Sequence, residues 1–209
     1  FRLGTASPRL HFRYYNHLTK ECHVSLVART GLIVVFFILG TGHSGAQTAT
    51  LSSDLLTDWQ TQKRMMLAIA DAMPEELFAF KPTDAQRTYA EQVLHIAGAN
   101  VYLMQHLAGG VEAPAVDTTD FSTFGLEATS KAVVLEALAE GYDYGIAVLQ
   151  EFSDEELVAT VSGPRYLGEV TRVRMAYFTL SHAMDIYGQM AVYLRLNGVT
   201  PPASRRGGV

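Results

Sequence analysis

Apolar residues return at helical intervals along four separate stretches of this chain. In the first, Leu55, Trp59, Met66, Ala70 and Met73 recur at spacings of three, four and seven after Ser52-Ser53-Asp54, which supplies an N-cap, and this predicts a helix from about Asp54 to Ala72. Pro74-Glu75-Glu76 fits a further helical turn with proline in the first position, and Phe78 and Phe80 fall where they would close one end of a core.

The second stretch starts at Thr88-x-x-Glu91, a capping box, and predicts a helix from Tyr89 to about Ala108, ended by Gly109-Gly110. Its apolar face is Val93, Ala97, Met104 and Leu107, with His95 on a neighbouring face and Gly98 and Ala99 leaving room beside the ring. A third helix follows a Thr129/Ser130 cap, with Leu135, Ala139, Tyr142, Ile146 and Leu149 as its seam. Ser153 to Glu156 is another capping box and predicts a short helix through Leu157. Residues 158–170 predict loop with at most a short extended piece.

The last helix begins near Thr171 and stops at Asn197-Gly198, with Pro201-Pro202 beyond. Met175, Phe178, Leu180, Met184, Ile186, Met190, Val192, Leu194 and Leu196 go most of the way round it, which predicts burial among other helices. His182, Asp185 and Gln189 interrupt that wall close together on one face, where polar groups need partners or a task. No strand pairing or internal repeat stands out. The expected fold is all-α, a four-helix bundle spanning residues 47–209, with a crossover over residues 110–129 long enough that helices 2 and 3 need not be antiparallel neighbours.

Composition alters this picture at the start of the chain. Residues 1–46 hold Arg2, Arg9, Arg13, Lys20 and Arg29 against the single acid Glu21, then the apolar block GLIVVFFILG and the small residues Ser44 and Ala46. That is the order of a secretory signal, and the block falls short of the ~20 residues that cross a bilayer. The expectation is export to the periplasm or medium with membrane contact only in transit; a cytoplasmic protein is the alternative if residues 1–46 are not part of the natural chain. The remaining residues carry 11 bases against 20 acids, a formal charge of −9. A body this acidic lacks the clustered Lys and Arg that grip a phosphate backbone, so nucleic acid is excluded as a partner. Cys22, the only cysteine, precedes the apolar block, so the body has no disulfide and no thiolate. Any metal there would be held by His, carboxylate, amide or water.

The body contains His95, His106 and His182. His106 lies about 16 Å along the helix from His95 and cannot share an ion with it. His95 and His182 sit mid-helix beside small residues, and on facing helices two such rings can converge. Two imidazoles are one short of the three protein ligands that catalytic zinc usually takes.

The segments MPEELFAFKPT, RTYAEQ, EQVLHIAGANVYL and LSHAMDIYGQMAVYLRLNGVTPPAS together resemble the DinB-like superfamily of four-helix bundles, related to bacillithiol and mycothiol transferases. The likeness runs from Leu55 to Ser204. It implies a divalent metal, zinc or nickel, held by one His on helix 2 and an H-x-x-x-H pair on the last helix, with hydrolase or thiol-transferase chemistry on a small-molecule substrate. The helix 2 ligand maps onto His95 and the first His of the pair onto His182; the second falls on Ile186, which has no lone pair to give. Asp185, Gln189 or, more weakly, Glu91 would have to complete a site, with Tyr102 and Tyr187 as candidate substrate-orienting groups. The competing reading is a non-catalytic bundle that binds a ligand or forms a homodimer, its histidines hydrogen-bonded in the interior.

Overall fold

The computed structural model describes residues 49–205; the segment read as a signal, and Cys22 with it, lie outside the described residues. Five α-helices and one two-stranded ribbon follow in chain order: α1 (Leu51–Ala72), α2 (Tyr89–Met104), α3 (Lys131–Leu149), α4 (Asp154–Leu157), β1 (Thr160–Ser162), β2 (Glu169–Thr171) and α5 (Arg172–Leu196). The four long helices form the expected all-α bundle. Among the described residues, no helix is long and apolar enough to cross a membrane.

Thr50, rather than the Ser52-Ser53-Asp54 run, caps α1, and its hydroxyl and Ser53 exchange bonds with each other's backbone N–H groups. Thr88 and Glu91 cap α2 reciprocally, as the sequence predicts. The α-helical part of α2 ends at Met104 and a 3-10 turn, Gln105–Leu107, carries it on. The left-handed residue that closes it is Ala108 (φ 56°), not the glycine pair that follows. At the other end of the chain Gly198 takes that conformation (φ 71°), where the sequence places it.

Helices α2 and α3 are intimate neighbours and run parallel: residues near both N-termini (Ala90, Val134) share one pocket, Ala97 meets Gly141 midway, and Gly109 lies beside Val148 near both C-termini. Parallel neighbours require a return along the bundle, which is the reason for the long crossover. The seam of α3 differs from the predicted one. Val134, Leu138, Tyr142, Val148 and Leu149 are buried with Gly141 and Gly145, whereas Leu135, Ala139 and Ile146 are only half-buried. Apolar spacing could not show this, because the glycines serve by absence: a Cβ at Gly141 would meet the Ala97 carbonyl, and one at Gly145 the Trp59 ring.

Helix α5 is also less enclosed than its apolar circumference predicts. Met175, Leu180, Ile186, Met190 and Leu194 face the core, but Met184, Val192 and Leu196 are exposed. A bundle of four helices covers only one side of each member. The segment before α5, expected as loop with at most a short extended piece, is an antiparallel hairpin pairing Val161 with Val170. Its two inward valines pack on the core and its ends are too short to show period-two alternation in the sequence.

Candidate functional site

The start of α2 fixes the position of His95, and the antiparallel run of α5 against α2 brings His182 opposite it. A polar ladder holds the two helices in register: Gln92 Nε2 donates to Gln189 Oε1 (2.9 Å), and the Tyr193 hydroxyl donates to the Arg87 carbonyl (2.8 Å). His95 and His182 then meet with their Nε2 atoms 3.0 Å apart and their rings steeply inclined, at 78°.

The protons on this pair follow from its other neighbour. His95 Nδ1 lies 3.0 Å from the carbonyl oxygen of Phe121, in the crossover. A carbonyl only accepts, so Nδ1 carries the proton, and the Nε2 of a neutral ring is left as an acceptor. His182 Nε2–H therefore donates to His95 Nε2. Burial pushes the His95 pKa down to about 4, helped by the positive charge of Arg87 and by His182, against the opposing pull of the Phe121 and Ser122 carbonyls. His182 is lowered too, mainly by burial, with the negative charge of Asp185 working the other way and Arg87 adding to the lowering. Both rings are neutral at neutral pH.

The pair sits in a pocket of about 360 Å³. Helix α2 contributes His95, Ala99, Tyr102 and Leu103; α5 contributes Phe178 and His182; the crossover adds Phe121 and Phe124, and the turn of the hairpin adds Tyr166. Phe124 is almost wholly buried and packs on the His95 ring with centroids 5.8 Å apart. It is there because Gly98 has no side chain, since a Cβ at that position would collide with the Phe124 Cβ and ring. Phe124 also has φ 58°, a left-handed conformation uncommon for an aromatic residue. The surrounding loop sustains it. The Asp120 carboxylate accepts from the N–H groups of Ser122, Thr123 and Gly125, and Arg87 donates to the carbonyls of Phe121 and Ser122. The bonds from the Ser122, Gly125 and Thr123 groups hold the Asp120 carboxyl down at about 2.

The structure brings His95, His182 and Tyr102 to one pocket and leaves the other predicted residues outside it. Glu91 is committed to its own helix cap, accepting from Thr88 N at 2.6 Å. Asp185 is exposed and accepts from Gln189 Nε2 (3.0 Å), while the carbonyl end of Gln189 is taken by Gln92. Tyr187 packs against the main core rather than the pocket. His106 bonds the Ser162 carbonyl, away from the pair. Phe121, Phe124, Tyr166 and Phe178 escape a reading based on donor atoms; the run FSTFG in the crossover is a local sign of the first two, and Phe178 shows only as one of the apolar residues of the last helix.

The donor set does not fit a metal centre completed by the protein. Among the described residues, no group of three or more His, Cys, Asp or Glu is placed to share an ion. Ile186, one turn beyond His182, is buried and supplies no lone pair.

A family model described as the DinB superfamily matches residues 58–190. Among solved structures, a DinB-like protein from Bacillus cereus ATCC 10987 is similar with a TM-score of 0.60 at 18% identity, over 71% of this chain and 93% of its own. A DinB-like protein from Bacillus subtilis is similar with a TM-score of 0.53 at 16% identity, over 70% of this chain and 93% of its own. No curated protein matches the sequence. At these identities the structures speak for the fold alone, and it is the family model, spanning more than half the chain, that shows the chain to belong to the DinB superfamily.

Proposed function

We propose that this protein binds a small, largely aromatic molecule in the pocket between α2, α5 and the crossover. One observation carries the reading: the neutral His95–His182 pair is the polar floor of a pocket of about 360 Å³ that is otherwise aromatic and aliphatic. Pockets of this volume and make-up take compact apolar molecules and use a few fixed polar groups to orient them. Among the described residues no carboxylate or cation lines it, so no charged side chain meets a charged ligand at its wall.

Calorimetric titration of the full chain with indole and toluene tests this, with Ala99→Phe as the control that fills the pocket from within. The expected result is saturable binding that disappears in the folded variant. No binding by the wild-type chain, or equal binding by Ala99→Phe, overturns the reading.

One observation favours a second reading, a divalent zinc or nickel ion serving hydrolase or transferase chemistry. The Nδ1–H of His95 bonded to a backbone carbonyl is the outer contact that metal-bound histidines usually make. His95 and His182 would hold such an ion, but with two protein ligands against the usual three it would rely on water or substrate for the rest. Metal analysis of the purified chain and of His95→Ala separates the two: stoichiometric metal lost in the variant supports this reading, and its absence after metal loading supports the first.

A further inference from the structure

We infer that the His95–His182 pair selects ligands bearing a neutral hydroxyl group, which inserts between the two Nε2 atoms. The inference rests on the aromatic pocket proposed above and adds the chemical group that distinguishes one aromatic ligand from another.

It follows from the order of protons along the chain Phe121 O, His95, His182. The Phe121 carbonyl fixes a proton on His95 Nδ1, so His95 turns an acceptor to the pocket. His182 turns a donor towards it across 3.0 Å. A group placed between them must give one hydrogen bond to His95 and take one from His182. A hydroxyl does both through one oxygen. An ether or ketone only accepts and leaves His95 Nε2 without a partner; a carboxylate only accepts and brings a charge into a pocket that has no cation on its wall. A buried acceptor stripped of its partner is the strongest source of discrimination a small pocket has.

The movement this requires is available on one side only. Two bonds of about 2.8 Å to a shared oxygen set the nitrogens roughly 4–5 Å apart. His95 is held by Phe121 and packed against Phe124, whereas His182 is only half-buried and, among the described residues, its ring has no second hydrogen bond. His182 is the ring that yields.

Two measurements on the full chain test the inference. The first is the tautomeric state from long-range ¹H–¹⁵N correlations: His95 is expected as the Nδ1–H form and His182 as the Nε2–H form, both unchanged on adding phenol. His95 found as the Nε2–H form overturns the inference whatever binds. The second compares phenol, anisole and toluene by calorimetry. Phenol is expected to bind at least tenfold more tightly than anisole, whose methyl ether keeps the oxygen but has no proton to donate, and His95→Phe, which removes the acceptor, is expected to bring that ratio close to one. Equal binding of phenol and anisole overturns the hydroxyl preference while leaving the aromatic pocket standing; no binding of any of the three removes both. Should His95→Phe fail to fold, His95→Gln, whose amide oxygen keeps an acceptor, is expected to retain the preference, and its loss there counts against the inference.

Discussion

Phe121 accepts a hydrogen bond on its backbone oxygen from His95 Nδ1 and lends its ring to the pocket that His95 faces. A crossover residue thereby decides which nitrogen of a helical histidine is bare. The long connection is part of the site as well as a topological necessity, and Arg87 and Asp120, which hold the loop at Phe121 and Phe124, act on the histidine pair from a distance.

Stability is expected to fall as pH drops from about 6.5 to about 4, through the histidine pair. The unfolded chain takes up a proton on each imidazole near the ordinary value of 6.5, while folded His95 resists it down to about 4. The contribution is therefore complete above 6.5 and is lost progressively through that window, because the unfolded state binds more protons there. Urea midpoints measured across it should fall more steeply for the wild-type chain than for His95→Gln, which has no proton to gain. Parallel slopes would show that the pair is not held neutral by the fold.

Gly98→Ala is expected to expel Phe124 from its place against His95. The added methyl group collides with the Phe124 side chain, and overpacking of this kind costs about 1–3 kcal/mol. The crossover should become more sensitive to limited proteolysis, and the melting temperature should fall. Combined with Phe124→Gly, which removes the Cβ as well as the ring, the substitution should cost clearly less than the two single changes added together, since the collision then has no second party. Strict additivity would mean that the two positions do not compete for the same space.

Ile186→His is expected to raise zinc or nickel affinity at least tenfold over the wild-type chain, measured by competition with a chromogenic chelator. It adds a third imidazole one turn from His182, supplying the ligand count that the present donor set lacks. Since Ile186 is buried, the metal-free variant should also lose about 1–3 kcal/mol of stability, which metal should restore. Unchanged affinity would mean that position 186 does not face the pair.

Much of the architecture is legible in the residues because it depends on local physics. The capping boxes at Thr88 and Ser153 and the stop at Asn197-Gly198 satisfy backbone groups that any helix end leaves free, so they mark boundaries wherever they occur. The facing of His95 and His182 is inferable for a similar reason, since each lies mid-helix in a bundle whose core has few other polar groups.

Local chemistry in the chain marks each long helix to within about a turn at its ends and shows which histidines lie mid-helix. These follow from hydrogen-bond satisfaction and burial within a few residues of chain. That α2 and α3 run parallel, that glycines at 98, 141 and 145 serve as sockets for Phe124, α2 and Trp59, and that the crossover closes an aromatic pocket over the pair all depend on packing between distant segments. A socket is defined by the neighbour that fills it, and a proton on an imidazole by the carbonyl across from it. Neither partner is near in sequence, so neither could be read until the chain was folded.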